Sequence, residues 1–467
     1  VQRTLLLLSI AASYILYAGG PRWTLVPLLI LTAVAALVAP RRTFSFPIST
    51  RPLDLALIAL LAAIALQLMP LPRPVVEWLS PNAADLRATL QFQAASGGSS
   101  ARLSVDPRAT VDALAVVALG VLTFWVSRGV FSFGASTRQF CRLLALGGAV
   151  AAIAAVLLRV AAPGLVHGTL APEVRSANPF GAFINRNHFA GWLLLIAAPV
   201  GGYLIAHLRI HPAYRERFRA GFKQFLISGA MITAIAGAAV VGVLLMTLSR
   251  SGAVGLGSAA MYGWWVGRQR LRIERTNLPF VLGAAGLALL VAVLFVDITG
   301  WTTRFEESLE TSGDRSRLTI WRESLPVVRD FWLTGTGAGT YSDAMLKYQQ
   351  TRVWVGSMNR WAHFNQAHSH YVQIAAEGGL LFVVPVLAAL VALARSASRA
   401  IAHDKGEMQW ARIGAAGGLA GIAVQSIWET SLVMPANAIL CGAVAGLVLY
   451  QRPRTAGDPA TDDLHGR

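Results

Sequence analysis

Residues 225–248 read FLISGAMITAIAGAAVVGVLLMTL, a run without a single charge and long enough to cross a bilayer as a helix. A short turn, TLSRSG, separates it from a second apolar run at 252–267, so the chain crosses, turns and crosses back. The same rhythm extends in both directions. Apolar stretches fall at roughly 4–19, 23–39, 53–69, 110–126, 142–158 and 188–206 in the first half, and at 225–248, 252–267, 280–297, 370–394, 411–429 and 434–450 in the second. The pattern predicts an all-α, polytopic membrane protein of about 12 helices, read as one transmembrane domain over 1–467, because helices satisfy their own backbone in lipid.

Composition supports this reading. Of 467 residues, 55% are hydrophobic and 13% charged, and the mean hydropathy is +0.54. Too few charges are present to coat a soluble enzyme, and the apolar content excludes a disordered chain. Two cysteines, Cys141 and Cys441, fall at or inside apolar segments, which argues against a disulfide scaffold or a thiolate metal site. The formal charge of +17 would suggest nucleic acid in a soluble protein, but its distribution follows topology. With the N-terminus inside, the inner segments collect 23 of the 40 basic residues and 7 of the 23 acidic ones. That satisfies the positive-inside rule with both termini cytoplasmic, including a tail at 451–467. The first apolar run, after Arg3, is read as an uncleaved helix rather than a signal peptide, since no clear cleavage site leads into a soluble domain.

Three outward segments are long, at about 70–109, 159–187 and 298–369, and loops of this length carry structure or function. In the last, Leu318, Trp321, Leu325 and Val328 recur at spacings of three and four between Asp314 and Asp330, which predicts an amphipathic helix on the outer membrane face. The following TGTGAGTY, 334–341, is a glycine-rich turn. A dinucleotide fingerprint would need a preceding strand in a soluble fold, so that reading is set aside.

Polar residues concentrate at the outer boundary. The final loop carries Arg304, Arg315, Arg317, Arg322, Arg329, Lys347, Arg352 and Arg360, and two more arginines stand at outer helix ends, Arg186 in NRNHFAG and Arg250 in TLSRSG. An anionic partner fits this excess, and snorkelling to head groups is the bland alternative for a boundary arginine such as Arg250. The segment AHSHYVQIAAEGG, 367–379, opens the tenth span with His368 and His370. The helix N-terminus and nearby arginines keep such an imidazole neutral and able to take a proton, as a general base requires; an ordinary interfacial histidine is the competing reading. If the helix has begun, the pair lie about 200° apart, so only one faces a shared site, and His368 shares a face with Tyr371 and Ala375. Glu377, about 13 Å deeper, is either functional or paired with a neighbouring helix, and Glu429 carries the same ambiguity. No HExxH and no third ligand near the H-x-H pair support a metal.

The order NRNHFAG, TLSRSG, SRLTIW with LTGTGAGTY, then AHSHYVQIAAEGGL resembles the O-antigen ligase superfamily over residues 180–385. The resemblance implies a metal-independent, cofactor-free, inverting glycosyltransferase in a bacterial inner membrane. Such an enzyme takes a glycan from undecaprenyl diphosphate on the periplasmic side and places it on an acceptor hydroxyl of lipid A core or a growing glycan. It implies His368 as the essential histidine and Arg250 and Arg317 as diphosphate ligands; Arg186, His188, Arg315, Arg322, Tyr371 and Glu377 are supporting candidates. Ser369 stands where many relatives carry Asn. A polymerase of the same superfamily is the nearest alternative. A polysaccharide or lipid-linked sugar transporter is another, although the two halves show no convincing repeat.

Overall fold

The computed structural model describes residues 1–40, 44, 46–90, 100–131, 134–172, 178–210, 229–268, 313–351, 354–355, 360–361, 363–406 and 408–450. These form α1 (Gln2–Ile15), α2 (Leu25–Leu37), α3 (Arg51–Leu68), α4 (Arg73–Leu79), α5 (Ala83–Thr89), α6 (Pro107–Phe131), α7 (Gly134–Ala161), α8 (Arg186–Ile210) and α9 (Gly229–Met246). They continue with α10 (Arg250–Gly267), α11 (Gly313–Asp330), α12 (Tyr341–Tyr348), α13 (His370–His403), α14 (Gln409–Gln425) and α15 (Pro435–Leu449). Two antiparallel ribbons, β1 (Leu71–Pro72) with β2 (Ser100–Ala101) and β3 (Trp354–Val355) with β4 (Arg360–Trp361), are a small departure from the expected all-α chain.

Helices stand at eleven of the apolar stretches; the one at 280–297 lies outside the described residues, as do Arg304, Arg352 and the tail 451–467. Among the described residues six helices are long and apolar enough to cross a membrane, namely α3, α6, α7, α8, α9 and α13. The chain is a membrane protein built from helices. The 70–109 segment contains β1, α4, α5 and β2 rather than open loop.

The helices approach closely because small residues face each other. A methyl group on Gly421 would sit 2.5 Å from the Gly255 carbonyl, which brings α14 against α10. Gly442 is likewise pressed on the Gly120 carbonyl, joining α15 to α6. At one end of the bundle two buried ion pairs tie helices together. Arg128 Nη1 lies 3.0 Å from Asp54, and Arg412 Nε donates to Asp404 Oδ2 at 2.8 Å while its Nη groups reach the Val448 and Tyr450 carbonyls. Arg128 and Arg412 are among the 23 basic residues that the sequence count places on the inner side. They are 5% and 4% exposed within helices, because a buried carboxylate offsets each.

The periodicity-predicted helix is present as α11, and of its apolar row Trp321 and Val328 pack against the neighbouring cluster. Ile320, Ser324, Val327 and, just beyond, Phe331 are buried against α12 and the start of α13, whereas Leu318 and Leu325 are 60% and 61% exposed.

Candidate active site

The opposite end of the bundle gathers the N-termini of α8, α10, α13 and α15 and the C-terminus of α14. Two caps set the first turns: Ser249 Oγ accepts from Gly252 N at 3.2 Å, and Ser369 Oγ accepts from Val372 N. The cap at Ser369 means that α13 begins at His370 and that His368 precedes it.

The glycine-rich turn 334–341 is built for packing. Gly335, Gly337 and Gly339 have φ of +67°, +119° and +77°, which side chains rarely adopt. A methyl on Gly337 would stand 2.6 Å from Ser104 Oγ. Glu377 holds this turn: its Oε2 accepts from Gly339 N at 2.8 Å, its Oε1 from Gln373 Nε2 at 3.0 Å, and its carbonyl from Gly337 N at 2.9 Å. Both carboxylate oxygens of Glu377 are occupied by donors from the turn and from its own helix, the pairing that its second reading expects.

α11 is anchored to the segment before α13 by Trp321 Nε1, which donates to the Ala367 carbonyl at 2.9 Å. Next in the chain, His368 has φ +48°. A non-glycine residue in this region costs of order 1 kcal/mol or more and persists only where its surroundings impose it. This corrects the helical-face argument: His368 is not helical, so the 200° separation from His370 does not apply, and it shares no helix face with Tyr371. Both imidazoles lie within electrostatic range of His188 on α8, and His368 within range of Arg317. Burial, with Arg317 adding to it, pushes the His368 imidazole down to about 4, so it is neutral at pH 7.

Around these histidines the polar groups are linked but incompletely paired. Glu429, 0% exposed in the turn after α14, accepts on Oε1 from Arg317 Nη2 at 2.8 Å and from Asn187 Nδ2 at 2.7 Å. Gln425 Nε2 donates to the Asn187 carbonyl at 3.1 Å. Asn437 Nδ2 donates to the carbonyls of His188 at 3.0 Å and Ser431 at 2.8 Å. Seven buried atoms in this network have no hydrogen-bond partner: His188 Nε2, His368 Nδ1, His370 Nδ1, Gln425 Oε1, Glu429 Oε2, Ser431 Oγ and Asn437 Oδ1. Buried polar groups are normally paired, so such a concentration marks a place that a polar ligand completes. The set offers acceptors, imidazoles and one guanidinium, a mixture suited to hydroxyls beside an anion.

Of the predicted residues, His368, Arg317 and His188 come together. Arg250 opens α10, whose first turn packs on α8: a methyl on Gly252 would lie 2.7 Å from Ala190 Cβ, two residues beyond His188. Arg186 is half-buried at the first position of α8. Arg315 lies in the first turn of α11, where only the backbone is described. Arg322 is exposed on α11, and Tyr371 donates its hydroxyl to the Ala423 carbonyl at 2.8 Å, a tether to α14. Among the described residues no three His, Cys, Asp or Glu side chains are arranged to hold a metal.

Sequence reasoning left out Asn187, Gln425, Ser431 and Asn437 and left Glu429 undecided. Asn187 was available inside NRNHFAG, and Glu429 as a carboxylate within an apolar segment. The other three carry no sequence signal, because their role comes from helices far apart in the chain.

Comparison with known families matches residues 234–387 to the family described as O-antigen ligase, a stretch that contains Arg250, Arg317, His368, His370, Tyr371 and Glu377. No curated protein matches the chain. Over that stretch, about a third of its length, the chain is similar to the O-antigen ligase family.

Proposed function

We propose that the protein is an inverting glycosyltransferase that moves a glycan from undecaprenyl diphosphate to a hydroxyl of lipid A core on the periplasmic face of the inner membrane, with both termini cytoplasmic. The reading rests above all on one observation: a neutral histidine with left-handed backbone and a half-buried arginine lie within electrostatic range of each other, among buried polar atoms that have no hydrogen-bond partner.

The chemistry follows from those groups. His368 takes the proton of the acceptor hydroxyl as its oxygen attacks the anomeric carbon. The bond from that carbon to the phosphate oxygen breaks, and its electron pair leaves with the lipid diphosphate. A single displacement inverts the anomeric centre. Arg317 and Arg250 hold the phosphate oxygens and stabilise the charge growing on the leaving group; guanidinium groups stay charged and bind such oxygens in a fork. Glu429 and Asn187 fix Arg317 in place before the donor arrives. The activated donor supplies the driving force, so the step calls for neither nucleotide nor metal.

Purified protein offered a lipid-linked repeat unit together with lipid A core, free glycan or protein acceptors tests this directly. Transfer to lipid A core is the expected outcome. Elongation of the lipid-linked glycan alone would make the protein a polymerase, and no transfer to any acceptor would refute the reading.

A further inference from the structure

A second polar feature lies at the same end of the bundle, outside the histidine pocket. Arg22, Arg102, Arg108 and Asp112 line an open depression of about 460 Å³ whose remaining walls are Leu68, Pro107 and Val111. Arg22 pairs with Asp112, and Arg102 Nε donates to the Leu68 carbonyl at 3.0 Å. The pair cancels one charge of each sign, so Arg102 and Arg108, both exposed, give the depression a positive balance.

Its position ties it to the site on two sides. Gly20, two residues before Arg22, lies against Ile184 and Met434, which flank the segments carrying His188 and Ser431. On the other side, the segment after Arg102 and the start of α6 hold the glycine-rich turn: Val105 N donates to the Thr336 carbonyl at 2.8 Å and Thr110 Oγ1 to the Ala338 carbonyl at 2.9 Å. The depression is therefore tied to segments that flank the histidine cluster.

We propose that this depression binds a phosphate-bearing sugar of the acceptor. Guanidinium groups take the phosphate, the Asp112 carboxylate accepts from sugar hydroxyls, and the apolar wall of Leu68, Pro107 and Val111 receives a ring face. The wall of Leu68, Pro107 and Val111 beside the arginines suits the apolar face of a sugar ring, which a phospholipid head group lacks, so the mixed lining favours a glycan. The proposal rests on the glycosyl-transfer reading above.

The test compares wild type with the Arg102→Gln/Arg108→Gln double variant, and with Arg108→Gln alone as the milder change at an exposed position. Two readouts are taken with lipid A core, native and phosphatase-treated: transfer kinetics in proteoliposomes, and direct binding to detergent-purified protein without donor. The proposal expects the acceptor KM and Kd of the double variant to rise about ten-fold on the native acceptor, with much less change on the dephosphorylated one and no change in donor dependence. Equal binding of native acceptor by wild type and variants overturns it. So does an effect that follows the phosphatidylglycerol content of the vesicles rather than the acceptor phosphates. Wild type that binds the native acceptor through these arginines but transfers nothing would refute the transfer reading and leave the binding site standing.

Discussion

Two buried carboxylates, Asp54 and Glu429, make an instructive pair. Each is 0% exposed and each meets an arginine, Arg128 in one case and Arg317 in the other. Both oxygens of Asp54 are occupied: Trp125 Nε1 donates to Oδ1 at 2.9 Å, Thr50 Oγ1 to Oδ2 at 3.1 Å, and Arg128 Nη1 to both at 3.0 Å. In Glu429 one oxygen takes two donors and the other none. A carboxylate occupied at both oxygens, as in the first kind, fixes helices. An open one of the second kind leaves capacity for a ligand, and the surrounding imidazole nitrogens are left open in the same way.

The contrast breaks most sharply at His368. His368→Ala should lower transfer by about three orders of magnitude, the range of general base catalysis, while leaving the detergent-solubilised protein's Tm unchanged; His370→Ala should cost much less. Wild-type activity in His368→Ala would refute the assignment of the base. Arg317→Ala and Arg250→Ala should each reduce turnover by about two orders of magnitude and affect donor concentration dependence more than acceptor dependence. If donor titrations were unchanged in both, the diphosphate role would be wrong.

The carboxylates themselves should separate stability from activity. Asp54→Ala leaves Arg128 buried without its counter-charge and should destabilise the protein by about 3–5 kcal/mol. Glu429→Gln keeps acceptor capacity toward Arg317 and Asn187 and should cost about 1 kcal/mol or less, yet impair transfer because Arg317 loses a charged anchor. Thermal unfolding in detergent, read beside activity, tells the two apart. The same stability loss at both sites would erase the distinction drawn between them.

A smaller effect should follow pH. The folded His368 binds a proton near 4, against 6.5 for an unperturbed histidine. Stability contributed by its neutral form is therefore present above about 6.5 and lost as pH falls toward about 4. Transfer should accordingly hold level from neutral pH down to about 5 and drop as pH falls through about 4. A midpoint near 6.5 in the acid limb would show that His368 is neither buried nor beside Arg317 as described. Least of all should change in Tyr371→Phe, which removes one half-exposed hydrogen bond and should leave transfer within about two-fold.

Much of the fold was legible because hydropathy reports directly on lipid burial. Eleven stretches and the amphipathic α11 could be read from runs and spacings alone. Within that helix Trp321 and Val328 pack as the spacing suggests, but the full burial of Ile320, Ser324 and Val327 and the exposure of Leu318 and Leu325 could not be read, because they depend on α12 and α13 lying on that side, a tertiary fact. The burial of Arg128 and Arg412 was hidden for a related reason. A charge count cannot separate a loop arginine from one neutralised inside a bundle. At the site, His368 and Arg317 were legible through motifs. The left-handed backbone at His368, the open oxygen of Glu429 and the roles of Gln425, Ser431 and Asn437 were not, because they arise only when five helix ends meet.

The most direct measurement is a cryo-electron microscopy map of the full chain in lipid nanodiscs with undecaprenyl diphosphate bound. The account predicts diphosphate density within about 3 Å of the guanidinium groups of Arg317 and Arg250, bordering the unpaired Glu429 and histidine atoms, with the His368 imidazole facing the vacant acceptor side. Diphosphate bound elsewhere, or His368 turned away from it, would contradict the account.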